Sequence, residues 1–273
     1  MLNLLKHEIK SRWGAVLGWG TGLFLFGITY ILIYPQIEEQ LTALSDWGLY
    51  RAMGFDMGSF EGFLGSTVVL FLPVWLGIYV IIASTHTLTG EEEQGTLELL
   101  LAAPLRRWQI LTAKMIAIGL TVFMILVIAG LGNALVLGGI KTRVAVNVTP
   151  GQLFIAVING WPLLMVFIVM GLFLGAFMPT RKLAAITLSL VFFASYMSEN
   201  LASHVRSLAP LKPYSLFSYF DTSTRVFSDG VQARDVLILL AAAAVFFVLA
   251  LVCFQRRNIT VGAWPWQRVG RND

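Results

Sequence analysis

Six stretches of this chain carry no charged side chain: 13–37, 62–90, 115–140, 144–180, 183–198 and 236–255. An α-helix rising 1.5 Å per residue needs about 20 mostly apolar residues to cross a bilayer. Trimming the polar ends predicts spans at 15–34, 67–88, 115–138, 153–177, 183–201 and 236–255. The fifth is short, with 16 uncharged residues between Lys182 and Glu199. Lys182 can snorkel to the surface, and the helix can run past Glu199 to Leu201. Ahead of the first span, Leu2, Leu5, Ile9 and Trp13 recur at steps of three and four, with Lys6, Lys10 and Arg12 mostly off that stripe. Residues 1–14 therefore read as a basic amphipathic helix lying in the membrane surface.

Six spans place both termini on one side, and lysine and arginine decide which. The two termini, the 89–114 passage and the 178–182 turn together hold 12 of them, against 7 in the longer alternate segments. Both termini are expected in the cytoplasm. The basic start and apolar run could suggest a secretory signal. The run is long, however, and ends at Tyr34-Pro35 without a small-residue cleavage pattern, so a retained first span is expected. Residues 35–65 and 202–235 form long outer segments rich in glycine, proline and aromatics. The stretch 209–220 is expected to dock at headgroup level or dip in as a re-entrant piece. Residues 139–152 form a short outer turn and 178–182 a tight inner one. No internal repeat or low-complexity tract divides the chain, so 1–273 reads as one membrane domain.

Composition agrees. The chain is 57% hydrophobic and 12% charged, about half the charged share of a soluble domain, and its mean hydropathy is +0.78. The fold class expected is an all-α integral membrane protein. One cysteine, Cys253, excludes an internal disulfide and a cysteine metal cluster.

The one sizeable inner loop stands out: residues 89–114 read TGEEEQGTLELLLAAPLRRWQILTAK. Thr89 with Glu92 three residues on matches a capping box, which would put Glu91, Glu92 and Glu93 in a first helical turn favoured by the macrodipole. Gly95 interrupts, Thr96 can cap again, and Leu97 to Ala103 make two turns that Pro104 ends. Arg106 and Arg107 mark the edge of the third span, with Trp108 at the interface. Two short helical pieces around a hinge would thus present carboxylates to the cytoplasm. The apolar run Leu99–Leu101 would be left exposed unless a partner protein covers it.

This passage resembles the signature of the type-two ATP-binding-cassette permease family: an acidic cluster, Gly95-Thr96-Leu97-Glu98, a leucine run, Pro104, the basic pair Arg106-Arg107, and Lys114 opening the next span. The likeness is specific over about 25 residues and agrees elsewhere in plan. It implies that 89–108 is a cytoplasmic coupling element docking on an ATPase, through Glu91, Glu92, Glu93, Gly95, Thr96, Leu97, Glu98, Pro104, Arg106 and Arg107. It implies two separate ATPase chains holding ATP and Mg2+, a second permease copy or paralogue, and a substrate path between the membrane halves. Spans two and five face the path in that family, which singles out Tyr79, Ser195 and Tyr196.

The chain has no GxxxxGK[ST] loop to cradle ATP, so no cofactor is expected on this chain. No GxSG serine accompanies His86, no HExxH motif occurs, and no ionisable residue stands mid-span, which disfavours intramembrane protease, metal and ion-coupled readings. Nucleic acid is not an expected partner. The resemblance implies the membrane subunit of an ATP-driven exporter, expected in a prokaryotic inner membrane, and apolar, aromatic walls favour a lipophilic or amphiphilic cargo (drug, antibiotic or lipid). The alternatives are a permease for an ion or for a factor maturing another protein, and a non-transporting scaffold or sensor.

Overall fold

A computed structural model of the protein describes residues 1–45, 59–93, 95, 105–140, 147–202, 210, 212–220 and 225–257. Among them every regular element is helical. Helix α1 (Leu2–Ser11) precedes α2 (Trp13–Ser45), and a long run, α3 (Phe60–Glu93), follows. Then come α4 (Arg107–Ile140), α5 (Pro150–Ile158), α6 (Gly160–Phe177) and α7 (Arg181–Ala202). A 3-10 turn at Leu216–Tyr219, α8 (Arg225–Ser228) and α9 (Ala233–Arg256) complete the order.

Among the described residues, five helical segments are long and apolar enough to cross a membrane: Trp13–Glu38 of α2, α3, α4, the α5–α6 pair and α9. The expected fifth span, 183–201, is the helix α7, which is 22 residues long but is not among these five. Arg181, Lys182 and Glu199 lie within it, leaving the same short charge-free stretch that marked it in the sequence.

Several helices outrun their predicted ends. α2 passes through Pro35 to Ser45, taking in the start of the expected outer segment. α3 begins at Phe60 rather than 67, its first turn capped by the Ser59 hydroxyl accepting from the Gly62 N–H. Its proline is accommodated by a slip in register. Pro73 cannot donate to the carbonyl four residues back, and a π turn at Gly65–Val69 lies just before it. Pro162 likewise has no N–H for the Ile158 carbonyl, and the α5–α6 break falls at Asn159.

Helix α6 is apolar all round and packs against α3, α4, α7 and α9, so it forms the centre of the molecule. Gly171 permits its close approach to α3. A Cβ there would overlap the Ser84 side chain and come within 2.9 Å of Leu188. Gly175, one turn on, would make only ordinary contacts, the nearest 3.7 Å from Leu88. The GxxxG spacing thus contains one required glycine. Helix α9 lies at the periphery with Leu237, Val245 and Val248 exposed, an apolar face suited to lipid.

Candidate functional site

The polar passage does not open a new helix. α3 runs through it, by way of a π turn at His86–Gly90, to Glu93. The Thr89 hydroxyl donates to the Thr85 carbonyl at 2.8 Å, one of four such bonds with Ser84, Thr85 and Thr87 that keep hydroxyls inside the helix. The predicted capping box is therefore absent. Gly95, at φ +71°, donates its N–H to the Glu92 carbonyl and turns the chain away from the helix. The three glutamates consequently occupy a helix C-terminal end, where the macrodipole disfavours negative charge. Cations and N–H groups from other helices compensate.

Each glutamate has its own partner. Glu91 Oε1 accepts from Lys114 Nζ at 2.6 Å, and the same ammonium donates to Glu8 Oε1 of α1 at 2.8 Å. Lys114 lies two turns into α4 with its side chain 1% exposed. Glu8 also pairs with Arg12 at 3.2 Å. Burial pushes the Glu8 carboxyl up, but Lys114 and Arg12 outweigh it and hold it below its ordinary value. Glu92 Oε2 lies 2.7 Å from Arg257 Nη2, both side chains buried at 4% and 3% exposure. Glu93 Oε1 accepts the Arg181 N–H at 2.9 Å, satisfying an orphan donor at the start of α7.

Two arginines extend this lattice. Arg257 donates through Nη1 to the carbonyls of Gly175, Ala176 and Met178, closing the C-terminal end of α6. Arg107 donates to the carbonyls of Phe254, Gln255 and Arg257, closing α9, and its guanidinium lies 5.8 Å from the Phe254 ring centre. A cation at a helix C-terminus is favoured by both hydrogen bonding and the dipole. The ends of α3, α4, α6, α7 and α9 are thereby joined, with α1 strapped on through Glu8.

The expected exposure of the carboxylates is corrected here. Glu92 is buried and Glu91 half-buried, leaving Glu93 as the exposed member. Arg107 also turns inward, while Arg106 is exposed. Thr96, Leu97, Glu98 and Pro104 lie outside the described residues. On α1 Leu2 is exposed, as is Trp13 at the start of α2, and the face of α1 toward α4 carries Glu8. Sequence reasoning passed over Glu8, Arg12 and Arg257 as partners. Lys114 carried a signal, since a lysine within an otherwise apolar helix requires a counter-charge.

The opposite end of the bundle is held by hydroxyls. Ser195 Oγ accepts the Leu216 N–H at 2.8 Å, and Ser215 Oγ donates to the Ser195 carbonyl at 2.7 Å. Phe217 is buried against Phe167, Phe192 and Tyr196, with ring centres 5.3 to 6.1 Å apart. Lys212 pairs with Glu199 at 3.2 Å. The 212–220 segment is thus docked on α7 and α6. Of the three expected path residues, Ser195 and Tyr196 meet here. Tyr79 lies elsewhere, its ring 6.2 Å from Trp19 and its buried hydroxyl without a hydrogen-bond partner among the described residues.

Beside Trp19, between α2 and α3, an open groove of about 180 Å³ is lined by Gly18, Trp19, Gly22, Leu23, Phe26 and Trp75. No charged side chain faces it. Among the described residues, no group of His, Cys, Asp or Glu could hold a metal ion. A family model described as ABC-2 family transporter protein matches residues 2–259. No curated protein matches the chain.

Proposed function

The chain belongs to the ABC-2 transporter family, and from that membership we propose that it is the membrane subunit of an ATP-driven exporter of lipophilic or amphiphilic molecules. The family implies association with an ATP-binding-cassette ATPase chain. On this reading α7 is the fifth of six spans and both termini lie in the cytoplasm of a prokaryotic cell. Two ATPases and a second permease copy or paralogue complete the pump. ATP and Mg2+ belong to the ATPases.

The loop after Gly95 is the docking element. Gly95, Thr96, Leu97, Glu98, Pro104 and Arg106 meet the ATPase, while Glu91, Glu92, Glu93 and Arg107 fix the loop's two roots to the helix ends. A nucleotide shifts such an equilibrium only through contacts that differ between two states. Docking on roots joined to five helices gives those contacts leverage.

The single observation that supports a lipophilic cargo is the groove. It is open at the side of the bundle, wholly apolar or aromatic, and shaped by two glycines whose Cβ positions meet open space. Apolar pockets with few polar groups suit ligands of that kind. Tyr79 joins its wall through Trp19, and Ser195 and Tyr196 bound the outer end of the path.

The test uses inside-out vesicles containing the chain with a co-expressed ATP-binding-cassette ATPase, incubated with the membrane-partitioning dye Nile red. ATP-dependent accumulation of dye in the vesicle lumen is expected, abolished by Gly22→Leu, which fills the groove. An ATPase that co-purifies while no dye moves refutes the cargo class. Failure of any ATPase to co-purify refutes the pump itself.

A further inference from the structure

We propose that Glu92, Arg257 and Arg107 form a relay that carries displacement of the inner end of α3 to the ends of α6 and α9, with Arg257 as its central positioning residue. This rests on the chain being the membrane subunit of a pump. The relay is continuous through side chain and backbone. Glu92, on the last turn of α3, holds Nη2 of Arg257 at 2.7 Å. Nη1 of the same guanidinium holds three carbonyls at the end of α6 at 2.9 to 3.0 Å. The Arg257 carbonyl in turn accepts from Arg107 at 2.8 Å, at the start of α4. The docking loop is therefore joined at both roots to one residue, which follows α9.

Burial is what gives this arrangement mechanical consequence. A surface pair exchanges readily with water and transmits little. Separating a pair buried to this degree leaves an uncompensated charge, so the ends move together more easily than they part. Only a guanidinium offers donors in a planar fork able to hold a carboxylate on one side and carbonyls on the other. A lysine in its place would have one nitrogen for both tasks.

The sole cysteine, Cys253, stands on α9 one turn before Arg257 and reports on that end without engineering. The complex with its ATPase, in nanodiscs, is reacted with N-ethylmaleimide without nucleotide and after trapping with ATP and vanadate. The wild-type labelling rate is expected to change about fivefold or more between the two states, as for ordinary coupling between sites. Arg257→Gln is expected to capture the ATPase yet lose that change. Arg257→Lys is expected to capture it and keep a reduced change, and it carries the test if the glutamine variant does not fold.

A full wild-type response in Arg257→Gln, or in Arg257→Lys where that variant carries the test, overturns the relay. So does an unresponsive wild type that still hydrolyses ATP. A wild type that captures no ATPase overturns the pump reading first, a result read separately by co-purification, and the relay falls with it.

Discussion

Replacing Lys114 with methionine tests whether the buried charge lattice holds the fold together. Methionine fills nearly the same volume and removes one buried ammonium, so packing is largely preserved while Glu8 and Glu91 lose their shared donor. Breaking a buried pair by removing one partner costs about 3–5 kcal/mol. The lower end applies here, because the Glu8 and Glu91 side chains retain 12% and 21% exposure and Glu8 keeps Arg12. A loss of about 3 kcal/mol lowers Tm by about 6–12 °C for a chain of this order of size. Thermal unfolding of the protein in nanodiscs, followed by circular dichroism, reads the shift. The variant Lys114→Met with Glu8→Gln and Glu91→Gln removes the stranded charges and is expected to recover most of the loss.

The pH dependence has a definite sign. Glu8 titrates below its ordinary 4.5 when α1 is docked. Its contribution is therefore present above that value and is lost as pH falls through the depressed one. Without Lys114 that depression shrinks and burial favours the protonated carboxyl, so the share of acid destabilisation due to Glu8 should shrink with it. An unchanged Tm in Lys114→Met would refute the reasoning, as would a triple variant no more stable than the single one.

Two further outcomes are expected. Gly171→Ala forces a Cβ into Ser84 and should lower stability by about 1–3 kcal/mol, with Ser84→Gly in the same chain restoring it; the same thermal scan reads both. Ser195→Cys with Ser215→Cys should form a disulfide on mild oxidation in a Cys253→Ala background, because the two hydroxyl oxygens lie 3.2 Å apart. Gel mobility before and after reduction checks it, and failure to form the bond would show that 212–220 does not dock on α7.

Much of the plan was legible in the charge-free stretches, because a bilayer demands long apolar helices and leaves few other solutions. Five of the six expected spans have a counterpart in a helical segment long and apolar enough to cross a membrane, and the tight turn fell between Phe177 and Arg181 as expected. Helix ends were less legible. α2 and α3 continue past the apolar stretches because a helix can extend into the interface wherever its backbone is satisfied. Thr89 was misread because a threonine followed by Glu92 satisfies the capping pattern in sequence, while its hydroxyl can equally bond back to Thr85. The site was least legible. Glu8 and Lys114 are 106 positions apart in the chain, and Arg257 meets Gly175 across 82. Local periodicity carries no information about pairs brought together only by tertiary packing.

The glutamate triplet makes this part of the chain intolerant of changes in length. Consecutive residues on a helix point about 100° apart, and Glu91, Glu92 and Glu93 each address a different helix. Deleting or adding one residue between Thr85 and Glu91 would rotate all three together and hand each carboxylate to the wrong neighbour. The π turn at His86–Gly90 is itself such an added residue, fixed in place where it sets the aim of the triplet.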